Sequence, residues 1–380
     1  MEREQHIEVR PPSAGGNTEE YWLNMGPQHP ATHGVLHLIV RLDGETVREV
    51  KPELGYIHRS VEKMAENLTL LQNIHLTDRL DYLSCHMNNH AVCMVAEQAC
   101  DIGVPERAEY IRVIVSELQR IQSHLLWWGA FAMDIGALSA FLYGFAEREK
   151  ITDIFERLCG ARLTMNYFRP GGVAQDLYDG FEQDARQACS DILYALDEYQ
   201  RLVTGNLIFQ ERTRGVGILS RDKAIGYGCS GGTARASGLD YDVRRDDPYG
   251  IYDRFSFDVP VATAGDCYAR YEVRMEEMRQ SVQIIEQALK DLPVGPIQAK
   301  AKPVLKIPKG LQVFRQVETA RGSFAMTAIG DGTATPLRVS YRSPGFMHVA
   351  ALHEMSAGFK IADLITILGS LDPVIPDIDR

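Results

Sequence analysis

The sequence predicts an α+β fold that is mostly α: a central bundle of long helices between an N-terminal β-hairpin region and a small strand-containing C-terminal region. Three observations predict it. Apolar residues recur at spacings of three and four through the middle of the chain, period-two alternation flanks Asp43-Gly44 near the start, and strand-like pieces broken by Gly330-Asp331-Gly332 stand near the end. The regions that follow are a mobile leader over 1–22, a β-rich region over 23–60, a helical bundle over 61–300 with an inserted loop region at 211–260, and an α+β region over 301–380.

Asp-Gly between alternating apolar residues is the strongest short hairpin signal, so residues 35–49 read as two strands. From Ser60 the period changes. Val61, Met64, Leu68 and Leu71 would line one face of a helix. Pro105 and Glu106 start the next helix, where the missing proline N–H costs nothing, and Ile111, Ile114, Leu118, Ile121 and Leu125 give it an apolar stripe. A second long apolar helix runs to about Cys159. Further helices are expected over 189–207 and 268–289, the latter with Met275, Met278, Val282, Ile285 and Leu289 as a core-facing stripe. Between them, residues 214–260 are rich in Gly, Asp and Tyr and too aromatic for a disordered linker, so a folded loop region is expected. Strand-like pieces follow over 312–342, and 361–368 is apolar enough for a short buried helix. No internal repeat or low-complexity segment appears.

With 380 residues, 45% of them hydrophobic, the chain can bury a sizeable core unaided. The net charge of −11, with Lys and Arg dispersed among acids, argues against a nucleic-acid surface. Seven cysteines (Cys85, Cys93, Cys100, Cys159, Cys189, Cys229, Cys267) form an odd set without CxxC, which points to a reduced compartment, no disulfide framework and no thiolate metal site. They read as small buried hydrophobes. The first 20 residues lack the features of a signal peptide, and no window reaches the roughly 20 apolar residues of a membrane-spanning helix. Membrane contact would come through partners.

The most unusual stretch is GPQHPATHG at 26–34, where two histidines, two prolines and two glycines specify a rigid turn that presents imidazoles. With His37, the histidines His29 and His33 fall four apart, but Pro30 and Gly34 break helices and no thiolate or carboxylate nearby completes a metal set. Two readings stand: a loop histidine poised for proton exchange, or turn chemistry with hydrogen-bonded imidazoles. His86 and His90 lack the Glu of HExxH and read as histidines facing a core or a neighbouring chain. Asp78-Arg79-Leu80-Asp81-Tyr82 sets a phenol among charges. Asp134 lies in an apolar stretch where a bare carboxylate is costly, so it needs a partner, with histidine a natural one, or caps a helix. The sequence contains no GxGxxG after a strand, no GxxxxGK[ST] and no GxSxG, so neither NAD nor ATP is obviously bound.

Residues 23–380 resemble the 49-kDa, or D-type, family of respiratory complex I subunits. The resemblance is carried by 26–34 (GPQHPATHG), 55–63 (GYIHRSVEK), 78–82 (DRLDY), 134–137 (DIGA), 169–172 (RPGG), 235–238 (RASG), 278–281 (MRQS) and 370–380, all in the right order. That family is similar to the large subunit of nickel-iron hydrogenases, so the resemblance implies a fold of that kind. The hydrogenase metal is held by one cysteine pair near the start and another in a terminal DPCxxC, whereas Leu371-Asp372-Pro373-Val374 keeps the frame without the thiol. Without soft ligands no nickel-iron centre is held, so no metal is expected in this chain and a pocket remains.

By the resemblance, that pocket is shared with the B-type partner that holds the terminal 4Fe-4S cluster, and it receives a quinone, ubiquinone or menaquinone; the chain alone binds no cofactor. His33 and Tyr82 would hydrogen-bond the two carbonyls and donate protons, Asp134 would pair with His33, and Arg59 would lie near the partner's cluster and favour its reduced form. The family often has a histidine where this chain has Thr164. A hydroxyl does not titrate near pH 7, so a cluster potential nearly independent of pH is expected, with a low-potential quinone such as menaquinone. Ser60 where Gly is usual, and Gly231-Gly232-Thr233-Ala234 before Arg235, leave local backbone detail open. The implied assembly is a proton-translocating NADH:quinone oxidoreductase with B-type and C-type partners and a membrane-arm protein at the quinone entrance. It would sit peripherally on the cytoplasmic side of the inner membrane. Alternatives are the same component in a ferredoxin-type complex lacking the NADH module, and a non-catalytic scaffold relative of hydrogenases, which the joint presence of His33, Tyr82 and Asp134 disfavours.

Overall fold

Alternation at the start of the chain builds an antiparallel sheet of β1 (Glu8–Val9), β2 (Glu20–Met25), β3 (His37–Asp43) and β4 (Thr46–Glu53), in that order. The computed structural model describes residues 8–9, 20–300 and 304–380, so most of the leader expected over 1–22 lies outside the described residues. Residues 20–22 already belong to β2, which pairs Tyr21 with Leu42 and Leu23 with Val40. The hairpin turns where expected, with Gly44 at φ +59°. Leu38, Val40, Leu42, Val47 and Val50 are buried, as alternation requires of a half-buried sheet.

The helix expected from Ser60 is two helices, α1 (Val61–Ala65) and α2 (Leu70–Thr77). A capping box between Thr69 and Gln72 starts α2 afresh and resets its phase, so Val61, Leu70 and Ile74 are buried while Met64 and Leu71, expected on the apolar face, are exposed. Ser60, where glycine is usual in the family, sits at φ +53° in the left-handed region that glycine occupies most freely. Then come α3 (Cys85–Cys100), α4 (Glu106–Asp134) and α5 (Leu138–Cys159), with Pro105 capping α4 as anticipated.

A short pair, β5 (Phe168–Arg169) and β6 (Gly172–Val173), leads into α6 (Phe181–Tyr199), which starts eight residues before the expected 189. The polar run after Phe181 hides its first two turns from an apolar-period reading, although Glu182 and Asp184 suit a helix N-terminus. A π-helical turn at Gln200–Thr204 separates it from α7 (Leu207–Thr213). The loop region folds around α8 (Arg221–Gly226), α9 (Gly231–Arg235) and α10 (Val243–Asp246). Next is α11 (Cys267–Lys290), whose Met278, Val282, Ile285 and Leu289 are buried and whose Met275 is half-buried.

The meander β7 (Gln312–Thr319), β8 (Gly322–Ile329) and β9 (Arg338–Arg342) precedes α12 (Pro344–Ala350), α13 (Leu352–Ser356), α14 (Ile361–Ser370) and α15 (Ile375–Asp379). The glycines before Arg235 have a use here. A side chain on Gly231, at φ +63°, would put its Cβ 2.4 Å from the Arg321 carbonyl, so α9 abuts the β7–β8 turn only without one. The architecture is therefore α+β and mostly helical, with α4 at its centre against α5, α11 and α14. Among the described residues no helix is long and apolar enough to cross a membrane.

Candidate functional site

The proline- and glycine-rich stretch at 26–34 folds as a 3₁₀ turn, Pro30–Thr32. His29 Nδ1 accepts from Ala31 N (3.2 Å), and Thr32 Oγ1 donates to the His29 carbonyl (2.8 Å). His33 ends the turn at φ 53°, ψ 36°, a left-handed conformation costing a non-glycine residue about 1 kcal/mol. Its Nε2 lies 2.7 Å from Oδ2 of Asp134, the last residue of α4. The two side chains are 16% and 9% exposed, so this polar contact is largely screened from water. Against a carboxylate that only accepts, Nε2 would carry the proton and Nδ1 would be left for another partner. His37, on β3, bonds Glu53 instead (2.8 Å). The three histidines spaced by four thus have three separate environments, and no group of three or more His, Cys, Asp or Glu among the described residues is placed to hold a metal ion.

Tyr82 follows Asp81, whose Oδ2 lies 2.9 Å from Nη1 of Arg321. Arg321 is fully buried in the β7–β8 turn and also donates to Ser84 Oγ (3.2 Å), Ser123 Oγ (3.1 Å) and the Asp372 carbonyl (3.1 Å), while its Nη2 pairs with the Asp372 carboxylate (3.1 Å). Tyr82 is half-buried, and among the described residues its hydroxyl makes no hydrogen bond. Burial pushes the phenol above its usual range; Asp81 and Asp372 reinforce this and Arg321 opposes it. Burial likewise raises Asp81, and raises Asp377 to about 7 with a further push from Asp81.

One segment joins the two sides. Gly369 in α14 packs against the His33–Asp134 pair, and three residues later Asp372 meets Arg321 beside Tyr82. The C-terminus also clasps the 55–58 loop: Asp379 Oδ2 accepts from Gly55 N and Ile57 N (both 2.9 Å), and its carbonyl bonds His58 Nδ1 (2.7 Å). Next to that loop, Arg59 donates to the Arg79 carbonyl (2.7 Å), and its pKa is lowered by partial burial and by the Arg79 charge. Thr164 is half-buried at φ +51°, a conformation uncommon for a β-branched residue. No hydrogen bond or ion pair links Arg59 or Thr164 to His33, Tyr82 or Asp134.

His86 and His90 are buried among rings, His86 against Phe155 and Phe168, His90 against Phe168 and Tyr249. Burial lowers both, His86 to about 3, so both are neutral imidazoles in the core.

Sequence reasoning missed Arg321, Gly369 and a buried ionic network behind the site. Glu117 and Arg120 of α4, Glu277 of α11, Arg235 of α9, Arg244 of α10 and Asp242 that caps it, and Glu318 of β7 are all buried. Arg235 reaches Glu318 (2.8 Å), Glu277 (2.9 Å) and Asp242 (3.2 Å), Arg244 reaches Asp242 (2.7 Å) and Glu117 (3.1 Å), and Arg120 reaches Glu117 (3.1 Å). Four carboxylates face three guanidiniums, one negative charge in excess. Burial, then Asp242, raises Glu318 to about 7, so a proton there brings the group to neutrality. RASG and MRQS serve this network, the latter through Ser281 Oγ, which donates to Glu117 (2.7 Å).

Compared with known proteins, residues 134–311 and 301–380 match the family model described as the 49-kDa subunit of the respiratory-chain NADH dehydrogenase. The chain is 50% identical to the C/D subunit of the NADH-quinone oxidoreductase of Bacteroides thetaiotaomicron, over 99% of this chain and 72% of that protein. It is 48% identical to the D subunit of the Desulforamulus reducens enzyme, over 95% of this chain and 99% of the relative, and 49% identical to the D subunit from Dehalococcoides mccartyi, over 96% and 99%. Fold and likeness together define an oxidoreductase component of complex I. The chain belongs to the 49-kDa subunit family of the respiratory-chain NADH dehydrogenase.

Proposed function

We propose that the chain is the quinone-site subunit of a proton-pumping complex I, and that it passes electrons from a partner's terminal iron–sulfur cluster to a quinone. The observation that carries this reading is the His33–Asp134 contact of 2.7 Å, screened from water and joined through residues 369–372 to the surroundings of Tyr82. Two-electron reduction of a quinone consumes two protons, one at each carbonyl oxygen. With Nε2 committed to Asp134, His33 donates from Nδ1 as an imidazolium and is left as a neutral imidazole still bonded to the carboxylate. Tyr82 supplies the second proton from a hydroxyl with no competing partner among the described residues. Both donors are then reprotonated, and that charge movement is what a proton pump would couple to.

The B-type partner would hold the 4Fe-4S cluster, with Arg59 and Thr164 towards it, and the quinone is menaquinone in the reading favoured by Thr164. A C-type protein is a further partner, in keeping with the name C/D of a relative in which the matching region is part of a longer chain. A membrane-arm protein would carry the peripheral attachment at the cytoplasmic side. The exposed Leu138, Leu142, Leu207 and Ile208 are surface that such partners would cover.

The test is the complex purified from membranes with its components identified. NADH-driven reduction of a menaquinone analogue is the expected activity. Electron acceptance from reduced ferredoxin alone would assign the chain to a complex without the NADH module, and an intact complex without quinone reductase activity would leave a scaffold.

A further inference from the structure

We infer that Gly369 is a positioning residue for the His33–Asp134 pair, present because any side chain there would drive the carboxylate off the imidazole. This rests on the reading of that pair as a proton donor. Gly369 lies within α14 and is not among the glycines with a left-handed backbone, so its conformation alone does not require glycine. Its surroundings do. A Cβ would stand 2.7 Å from Asp134 Oδ2, 3.2 Å from Phe131 Cδ2 and 3.5 Å from His33 Nε2, inside the wedge where these groups meet.

Each alternative to moving Asp134 is blocked. The helix end cannot retreat, because the Gly369 carbonyl accepts from Trp127 Nε1 (2.8 Å), the Ser370 carbonyl from Arg274 Nη1 (2.8 Å), and Ser370 Oγ from Arg270 Nε (2.9 Å), all buried. Phe131 cannot swing away, because it stacks on Trp127 at 5.3 Å and meets Phe209 edge-on at 6.0 Å. What yields is the carboxylate at the end of α4, whose oxygen must move from 2.7 Å to an ordinary contact of about 3.4 Å, enough to lengthen and misalign its hydrogen bond to His33 and to misplace a reacting group.

The test is Gly369→Ala, alone and combined with Asp134→Ala, in the complex purified from membranes. Alanine is the better helix former, which offsets part of the cost of the crowding, so the single variant is expected to assemble with a melting temperature lowered by only a few degrees. Its kcat for quinone reduction is expected to fall about tenfold or more with KM within about twofold. In the Asp134→Ala background, where the carboxylate is gone and space is open, the same substitution is expected to change kcat less than about twofold. Full activity of Gly369→Ala, an independent loss in the double variant, or failed assembly that Asp134→Ala does not correct would each overturn the inference. Full activity of Asp134→Ala alone would instead overturn the reading of the pair as a donor, and with it the role of Gly369.

Discussion

Phenylalanine at position 82 is expected to lower kcat for quinone reduction by the assembled complex about a hundredfold, the usual scale for loss of a positioned proton donor. The variant isolates one atom. Tyr82 is half-buried and its hydroxyl has no hydrogen-bond partner among the described residues, so its removal leaves nothing unsatisfied and the ring still packs. Stability should change by less than about 1 kcal/mol. Burial, with Asp81 and Asp372 behind it, holds the phenol protonated above its usual range, so below that range the donor is fully loaded and this step should not lose rate as pH rises through neutrality. KM is expected to rise a few-fold for the lost carbonyl contact, worth about 1 kcal/mol. Steady-state kinetics with NADH and a soluble quinone checks both numbers; an unchanged kcat would remove Tyr82 from the chemistry.

Methionine in place of Arg235 is expected to destabilise the chain by about 3–5 kcal/mol, a large part of ordinary folding stability. Arg235 is fully buried and touches Asp242, Glu277 and Glu318 at once. Without it, four buried carboxylates face two guanidiniums, and a proton on Glu318 no longer balances the group. Lysine at the same place restores the charge but not the forked geometry, and should recover part of the loss. A fall of about 5 °C or more in the melting temperature is the expected reading, with lysine in between. An unchanged melting temperature would mean that the network carries no net stability.

What the sequence made legible was local. The Asp43-Gly44 turn, the start of α4 after Pro105 and the apolar run that became α14 are each announced by neighbouring residues. The His33–Asp134 contact spans 101 residues, yet it was foreseeable because a carboxylate in an apolar stretch demands a partner and the family resemblance named one. Partners of Arg235 and Arg321 lie as far as 83 and 240 residues away. On α4, Glu117, Arg120 and His124 have the spacing of a solvated face, and only the packing of α10, α11 and β7 over them turns that face into a buried one, while Arg112 is covered by Glu97 of α3 and the carbonyls of β5 and β6. Gly369 carries no signal of its own, because an ordinary helical glycine looks dispensable until the groups it admits are in place.

The role proposed for His33 and Tyr82 turns on where a quinone binds. A high-resolution structure of the complex with a bound quinone or head-group inhibitor measures that directly. One carbonyl oxygen is expected about 2.7–3.2 Å from His33 Nδ1 and the other at the same range from the Tyr82 hydroxyl, with Asp134 still on Nε2. A ring lodged beyond hydrogen-bonding reach of both side chains throughout turnover would contradict it.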